Sequence, residues 1–252
     1  MVTLSDVSIE TPEELAGLRA SGRVVAEALR AMRRAVRPGI TTGELDAIAA
    51  RIFRRAGARS APRLTYGFPG ATCISVNDEA VHGIPGPRRL REGDLVSLDV
   101  AVELNGFYAD ACITVGVGRA RPATNRLAGA ARDALAQALR TARAGAPQSA
   151  IGAAVERAAA ARGYAVCGEL MGHGIGRSLH EAPDVPSIFD PALTEPLTDG
   201  LVLTVEPIVS AGTGAVHQRG DGWTVCTADG ALAAHEEHTI VITAGAPLVL
   251  TA

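Results

Sequence analysis

The chain repeats its own order of elements, and that repeat restricts its fold more than any other feature. Thr11-Pro12-Glu13-Glu14 reads as a helix start, in which a threonine cap precedes proline at the first helical position and carboxylates lie at the positive end of the dipole. The helix predicted from there runs to about Val36 and stops at Arg37-Pro38-Gly39. Thr42 then reads as the cap of a second helix, with Leu45, Ile48, Ala49, Ile52 and Phe53 at helical spacing. The same order returns as a helix over about 123–144, a stop at Gly145-Ala146-Pro147, and the helical run SAIGAAVERAAAARG. A shift of 106 positions lays Gly39 on Gly145, Leu45 on Ile151, Arg51 on Arg157 and Gly57 on Gly163.

The strands extend the repeat. REGDLVSLDV (91–100) and TDGLVLTVEP (198–207) each place an acidic residue and glycine before a β-rich apolar run that ends in a carboxylate, so Asp99 matches Glu206. Asp110 leads into ACITV and Glu237 into HTIVI, which suggests a second matched pair. These readings predict an α+β fold with two similar halves, about 11–118 and 119–245, related by a pseudo-twofold axis. Residues 1–10 read as a short N-terminal arm of one domain spanning 1–252.

Asp99 and Glu206 lie in apolar runs, LVSLDVAV and LVLTVEPIV, that contain no basic residue. An isolated ionised carboxylate there costs several kcal/mol, on the order of the effective penalty for a buried ion. The pseudo-twofold brings Asp99, Asp110, Glu206 and Glu237 together, and like charges at close range must bind protons or cations. Two divalent metal ions satisfy that requirement. MGHGIGRSLHE (171–181) holds two histidines, the first inside a glycine run that reads either as an exposed turn or as backbone opened to a ligand. His173 supplies a fifth ligand. Four carboxylates and an imidazole suit Mn, Fe, Co or Zn without choosing among them.

The 24 Lys plus Arg against 27 Asp plus Glu give a net charge of -3, which offers no electrostatic footprint for nucleic acid or an anionic membrane. No basic n-region with an apolar h-region opens the chain, and no segment has 18 uninterrupted apolar residues, so a cytoplasmic protein is expected. Cys73, Cys112, Cys167 and Cys226 are far apart, as free thiols in a reducing compartment would be.

Taken together, VHGIP (81–85), SLDV (97–100), Asp110 eleven residues after Asp99, GHGIG (172–176), His180-Glu181, TVEP (204–207), DGWTV (221–225) and EHT (237–239) closely resemble type I methionine aminopeptidase of the M24 peptidases. The resemblance covers about 11–243 and implies the pita-bread fold and a single catalytic domain. It implies that Asp110 and Glu237 bridge two ions, that Asp99 chelates one, and that His173 with Glu206 holds the other. A hydroxide bridging the ions would attack the carbonyl after the N-terminal residue, with Glu206 shuttling the proton. By the same resemblance His180 bonds the scissile carbonyl and His82 contacts the departing amide nitrogen. The pocket for the methionine side chain would be lined by Cys73, Phe68, Trp223 and Leu179; Thr65 and Phe68 fall where tyrosines are common, and Leu179 where phenylalanine is.

The implied substrate is the N-terminal methionine of nascent proteins and peptides with a small second residue, and Met1-Val2 is itself such a terminus. The ribosome is then a candidate neighbour, and a monomer of the short bacterial form, without a zinc-binding extension, is expected. A proline-directed aminopeptidase of the same fold and a non-catalytic pita-bread interaction module are the alternatives. His217 and His235 match no motif and are expected at the surface, while His238 reads as either a support for the ligands or a structural residue.

Overall fold

A computed structural model describes residues 9–119 and 121–252, so the Met1-Val2 terminus and most of the expected arm lie outside the described residues. The first half runs α1 (Pro12–Ala35), α2 (Thr42–Ala56), β1 (Arg59–Ser60), α3 (Ala61–Tyr66), β2 (Cys73–Val76), β3 (Glu79–Val81), β4 (Leu95–Leu104) and β5 (Phe107–Gly116). The second runs α4 (Pro122–Thr141), α5 (Ser149–Ala160), β6 (Ala165–Val166), β7 (Met171–Gly174), β8 (Glu181–Pro186), β9 (Val202–Val205), β10 (Ile208–Ser210), β11 (Val216–Gln218), β12 (Val225–Thr227), β13 (Ala233–His235), β14 (His238–Val241) and β15 (Leu248–Val249).

Both opening helices are closed by capping boxes, Thr11 with Glu14 and Thr41 with Glu44. The cap of α2 is therefore Thr41 and not Thr42, whose buried hydroxyl exchanges hydrogen bonds with the backbone of Gly86. The helices of the second half have no side-chain cap, so their ends are held by backbone contacts and packing.

In the first sheet β4 lies between β1 and β2 on one side and β5 on the other. The second sheet has the order β15-β14-β9-β7-β8. Gly93 and Gly200, which precede β4 and β9, both adopt φ +84, a left-handed turn that glycine makes without a Cβ penalty. Ser97 stands opposite Thr114 in the β4–β5 ladder, and Thr204 stands opposite Thr239 at the matching place in β9–β14. α1 and α2 cover the first sheet around Met32, Leu45, Ile74 and Leu98. α4 and α5 cover the second around Leu127, Ile151, Leu201 and Leu203. Further apolar clusters join residues of both halves: Leu18 and Ala101 pack with Ile175 and Val202, and Val81 packs with Cys167 and Ile208.

The halves are tied at the axis by two reciprocal clasps. The Thr239 hydroxyl accepts from the Asp110 N–H at 2.9 Å and donates to the Asp110 carbonyl at 2.7 Å. The Thr114 hydroxyl does the same with His235, at 2.9 and 2.7 Å. Because Thr114 and Thr239 are mates in the two ladders, the clasps make Asp110 and His235 mates as well. The expected pairing of Asp110 with Glu237 is thus displaced by two residues. Glu237 instead donates its N–H to the carbonyl of Cys112, the residue opposite Asp99.

Candidate metal centre and peptide pocket

The strand mates place four carboxylates and the His173 imidazole around one cavity of about 290 Å³. Asp99 comes from the middle of β4, Asp110 from β5, His173 from β7, Glu206 from just beyond β9 and Glu237 from just before β14. Asp110, His173 and Glu237 each offer one donor atom within 4.8 Å of the others. His173 Nδ1 lies 2.8 Å from the carbonyl of Gly174, so that nitrogen carries the hydrogen and Nε2 faces Glu206 Oε1 at 3.6 Å with its lone pair free.

Burial and mutual repulsion decide the charge state of this group. Asp99 is held well above the usual carboxylate range by loss of solvent and then by Asp110 and Glu206. Burial raises Asp110 to about 7. Burial and then Asp110 raise Glu206, and Glu237 rises by burial and by Asp110, Glu206 and Asp99. Burial pushes His173 down to about 3, so its ring is neutral and able to ligate. Among the described residues four buried side-chain polar atoms have no hydrogen-bond partner: Asp110 Oδ1, Glu237 Oε1 and both ring nitrogens of His235. All four belong to residues that line this cavity. Orphaned acceptors beside neutral imidazoles are the donor set a divalent cation requires, and the residues fit one.

The glycines around His173 serve the sheet. The run is strand β7, held between β8 and β9, and a Cβ at Gly172 would lie 2.5 Å from the Thr204 carbonyl oxygen, while one at Gly174 would overlap that of Ala182. The exposed-turn reading is therefore incorrect. His173 is buried because neighbouring strands approach too closely for side chains on either side of it.

The remaining cavity is apolar. Cys73, Phe68, Leu179 and Trp223 all line it, and Phe68 meets the Trp223 ring edge-on at 5.2 Å between centroids. His82 and His180 stand at its rim, with His180 4.0 Å from the His173 ring between centroids. Thr65 is exposed and outside the lining; its neighbour Tyr66 lines the cavity in its stead, alongside Phe68 and Trp223. The Tyr66 hydroxyl lies 2.6 Å from His180 Nδ1. His82 adopts φ 57, a left-handed backbone that costs a non-glycine residue about 1 kcal/mol or more.

His235 corrects the expectation of a surface residue. It is 1% exposed and lines the cavity, whereas His217 is exposed as expected. Sequence reasoning missed it because no motif marks it; the usable signal was its place four residues before Thr239, matching Asp110 before Thr114. His238 takes the structural option, with Nδ1 2.9 Å from the Thr251 hydroxyl.

The metallopeptidase family M24 matches residues 16–244. The chain belongs to this family. It is 42% identical to methionine aminopeptidase 2 of Bacillus subtilis over 96% of its own length and 98% of the relative's. Its structure is similar to that of a methionine aminopeptidase from Thermotoga maritima, with a TM-score of 0.94 and 35% identity over 97% of this chain and 99% of that one. A prolidase from Pyrococcus furiosus shares the fold at a TM-score of 0.77 and 21% identity, and this chain covers 66% of it. The two-half architecture is the pita-bread fold, and the M24 chemistry is that of a metal-dependent hydrolase. No helix of the described residues is long and apolar enough to cross a membrane.

Proposed function

We propose that the protein is a methionine aminopeptidase that removes the N-terminal methionine of nascent proteins and peptides when the second residue is small. The observation that carries this reading is the convergence of Asp99, Asp110, His173, Glu206 and Glu237 beside an apolar slot closed by Phe68, Cys73, Leu179 and Trp223. In this reading the protein acts as one catalytic unit, a cytoplasmic monomer that meets its substrates at or near the ribosome.

Two divalent ions, Mn, Fe, Co or Zn, would be held by the five ligands, with Asp110 and Glu237 common to both, Asp99 on one and His173 with Glu206 on the other. Such ions supply Lewis acidity, which brings the ionisation of a bound water near neutral pH and polarises a carbonyl. Glu206 takes the proton from the attacking water on a carboxylate oxygen and returns it to the departing amine.

Tyr66 sets the tautomer of His180. Its hydroxyl donates to Nδ1, which leaves the hydrogen on Nε2, and that N–H donates to the scissile carbonyl oxygen as charge develops there. His82 contacts the departing amide nitrogen. The slot excludes water from the methionine side chain and admits an unbranched thioether.

Hydrolysis of Met-Ala-Ser against Xaa-Pro peptides with added Mn or Co tests the reading. Turnover of Met-Ala-Ser is expected; turnover of only the Pro peptides would indicate a proline-directed enzyme, and turnover of neither an interaction module. Glu237→Gln removes a shared charge, so it is expected to abolish turnover and lower metal occupancy.

A further inference from the structure

We propose that His235 is a sixth protein ligand of the metal centre, giving the ion held by His173 and Glu206 a second imidazole. This rests on the metallopeptidase reading of the site and concerns a residue outside the five ligands that reading assigns.

Position is the first argument. His235 Nε2 lies 3.6 Å from Glu206 Oε2 and 3.7 Å from Glu237 Oε2. His173 Nε2 lies 3.6 Å from the other Glu206 oxygen, so the two imidazoles flank one carboxylate with a ring nitrogen toward each oxygen. These gaps are too long for hydrogen bonds. Donors at about 2.1 Å from a common ion stand roughly 3.0–3.4 Å from one another in octahedral or tetrahedral arrangement, so closure by a few tenths of an ångström would suffice. Glu206, His235 and Glu237 each offer a donor atom within 4.8 Å of the others, and Glu237 belongs equally to the Asp110–His173 set.

Satisfaction is the second argument. Both ring nitrogens of His235 lack any hydrogen-bond partner, and the residue is 1% exposed. A neutral buried imidazole ordinarily has an acceptor for its N–H and a donor for its lone pair; here two carboxylates stand on the Nε2 side with no hydrogen to offer when ionised. A cation between these groups gives the lone pair a partner and neutralises the carboxylates in one step.

The pseudo-twofold is the third. The Thr114 hydroxyl clasps the His235 backbone as the Thr239 hydroxyl clasps that of Asp110. The axis that carries the Asp110 carboxylate to the ions therefore carries the side chain at 235 to the equivalent place on the opposite side.

The Co2+-loaded protein tests this by paramagnetic proton NMR. His173 keeps a hydrogen on Nδ1 and contributes one hyperfine-shifted exchangeable imidazole N–H. Ligation by His235 through Nε2 adds a second, which disappears in His235→Gln. The same substitution is expected to weaken Co2+ binding about hundredfold in calorimetry, at or above the upper end of losses seen for residues that only support ligands. It also lowers the preference for Co2+ over Mn2+, because imidazole favours the later metal. A single shifted N–H in the wild-type protein with Co2+ bound would overturn the assignment of His235 alone, and that count needs no folded variant. Failure to bind Co2+ at all would overturn the metallopeptidase reading with it.

Discussion

Removing the metal should make the protein's stability fall more steeply with rising pH than that of the metal-loaded form. The folded-state pKa of Asp110 is raised from an ordinary 3.8 to about 7, and Asp99, Glu206 and Glu237 are raised well above their ordinary values. Groups raised on folding stabilise fully below their unfolded pKa and lose that contribution as pH climbs through the folded one. His82, pushed down to about 4, His173 and His235, both to about 3, and the lowered His180 and His238 act with the opposite sign, because an unfolded histidine is already half protonated near 6.5. These rings are neutral with and without metal, so over pH 6.5 to 8.0 the carboxylates are read in the difference between the two forms. Each proton the metal-free cluster retains there, and the unfolded chain does not, lowers stability by about 1.4 kcal/mol per pH unit, or roughly 2 kcal/mol across the window. For a chain of this size that corresponds to a Tm lower by roughly 4–8 °C. Glu236, raised by burial to about 7 against the lowering pull of Arg132, has the same sign but lies outside the five-ligand set, so it contributes to the metal-free and metal-loaded forms alike and cancels in their difference. Thermal unfolding after chelation at several pH values, and again with excess Mn2+, reads the effect. An identical pH dependence with and without metal would show that the carboxylates do not repel one another as inferred.

His180→Ala is expected to lower kcat/KM about 10²–10³-fold, the scale for loss of one oxyanion donor, while metal content stays unchanged; loss of metal would move His180 into the ligand set. Tyr66→Phe should lower kcat/KM roughly threefold to tenfold, as for one neutral hydrogen bond of about 0.5–1.5 kcal/mol, and an unaltered value would leave the His180 tautomer without its proposed cause. Leu179→Phe adds bulk to the wall of the slot and should shift the ranking of methionine against norleucine and longer side chains by about tenfold, the scale of one methylene in an apolar pocket; the same ranking in both proteins would place residue 179 outside substrate contact. Gly174→Ala forces a Cβ onto the Ala182 carbonyl and should reduce stability by about 1–3 kcal/mol in urea unfolding, whereas wild-type stability would mean that β7 and β8 can separate freely.

The two-half fold was legible because its signals are local. The Thr11-Pro12-Glu13-Glu14 cap, the glycines before β4 and β9 and the apolar runs ending in Asp99 and Glu206 each occupy a few consecutive residues. The convergence of the carboxylates on one cavity was legible because a carboxylate inside an apolar strand without an ion-pair partner is costly wherever it occurs. Tyr66 was not legible: its contact with His180 joins residues 114 positions apart, and it depends on a short helix, α3, whose end places position 66 rather than 65 over the cavity. The glycines of β7 were given the wrong cause, since crowding between strands and open approach to a ligand call for the same residue.

The displaced pairing at the axis has a physical origin and explains why His235 escaped notice. Sequence symmetry matched Asp110 to Glu237 by residue type, but a sheet sets its symmetry by register, and a slip of two residues leaves every side chain on the same face. Both assignments therefore satisfy the inward alternation, and sequence alone prefers the one that pairs acid with acid. The threonine clasps decide otherwise, because each hydroxyl fixes both the N–H and the carbonyl of a single residue across the axis. The positions that symmetry sends inward are then Asp99, Asp110 and Cys112 from one half and Glu206, His235 and Glu237 from the other. Cys112 stays a thiol, since burial holds its pKa far above neutrality, and it leaves the first half two charged groups to the second half's two carboxylates and an imidazole. A centre built on that inequality presents its nitrogen donors on the side of Glu206, where His173 also lies, so the two ions would not be equivalent and the one near Asp99 should be lost first on chelation.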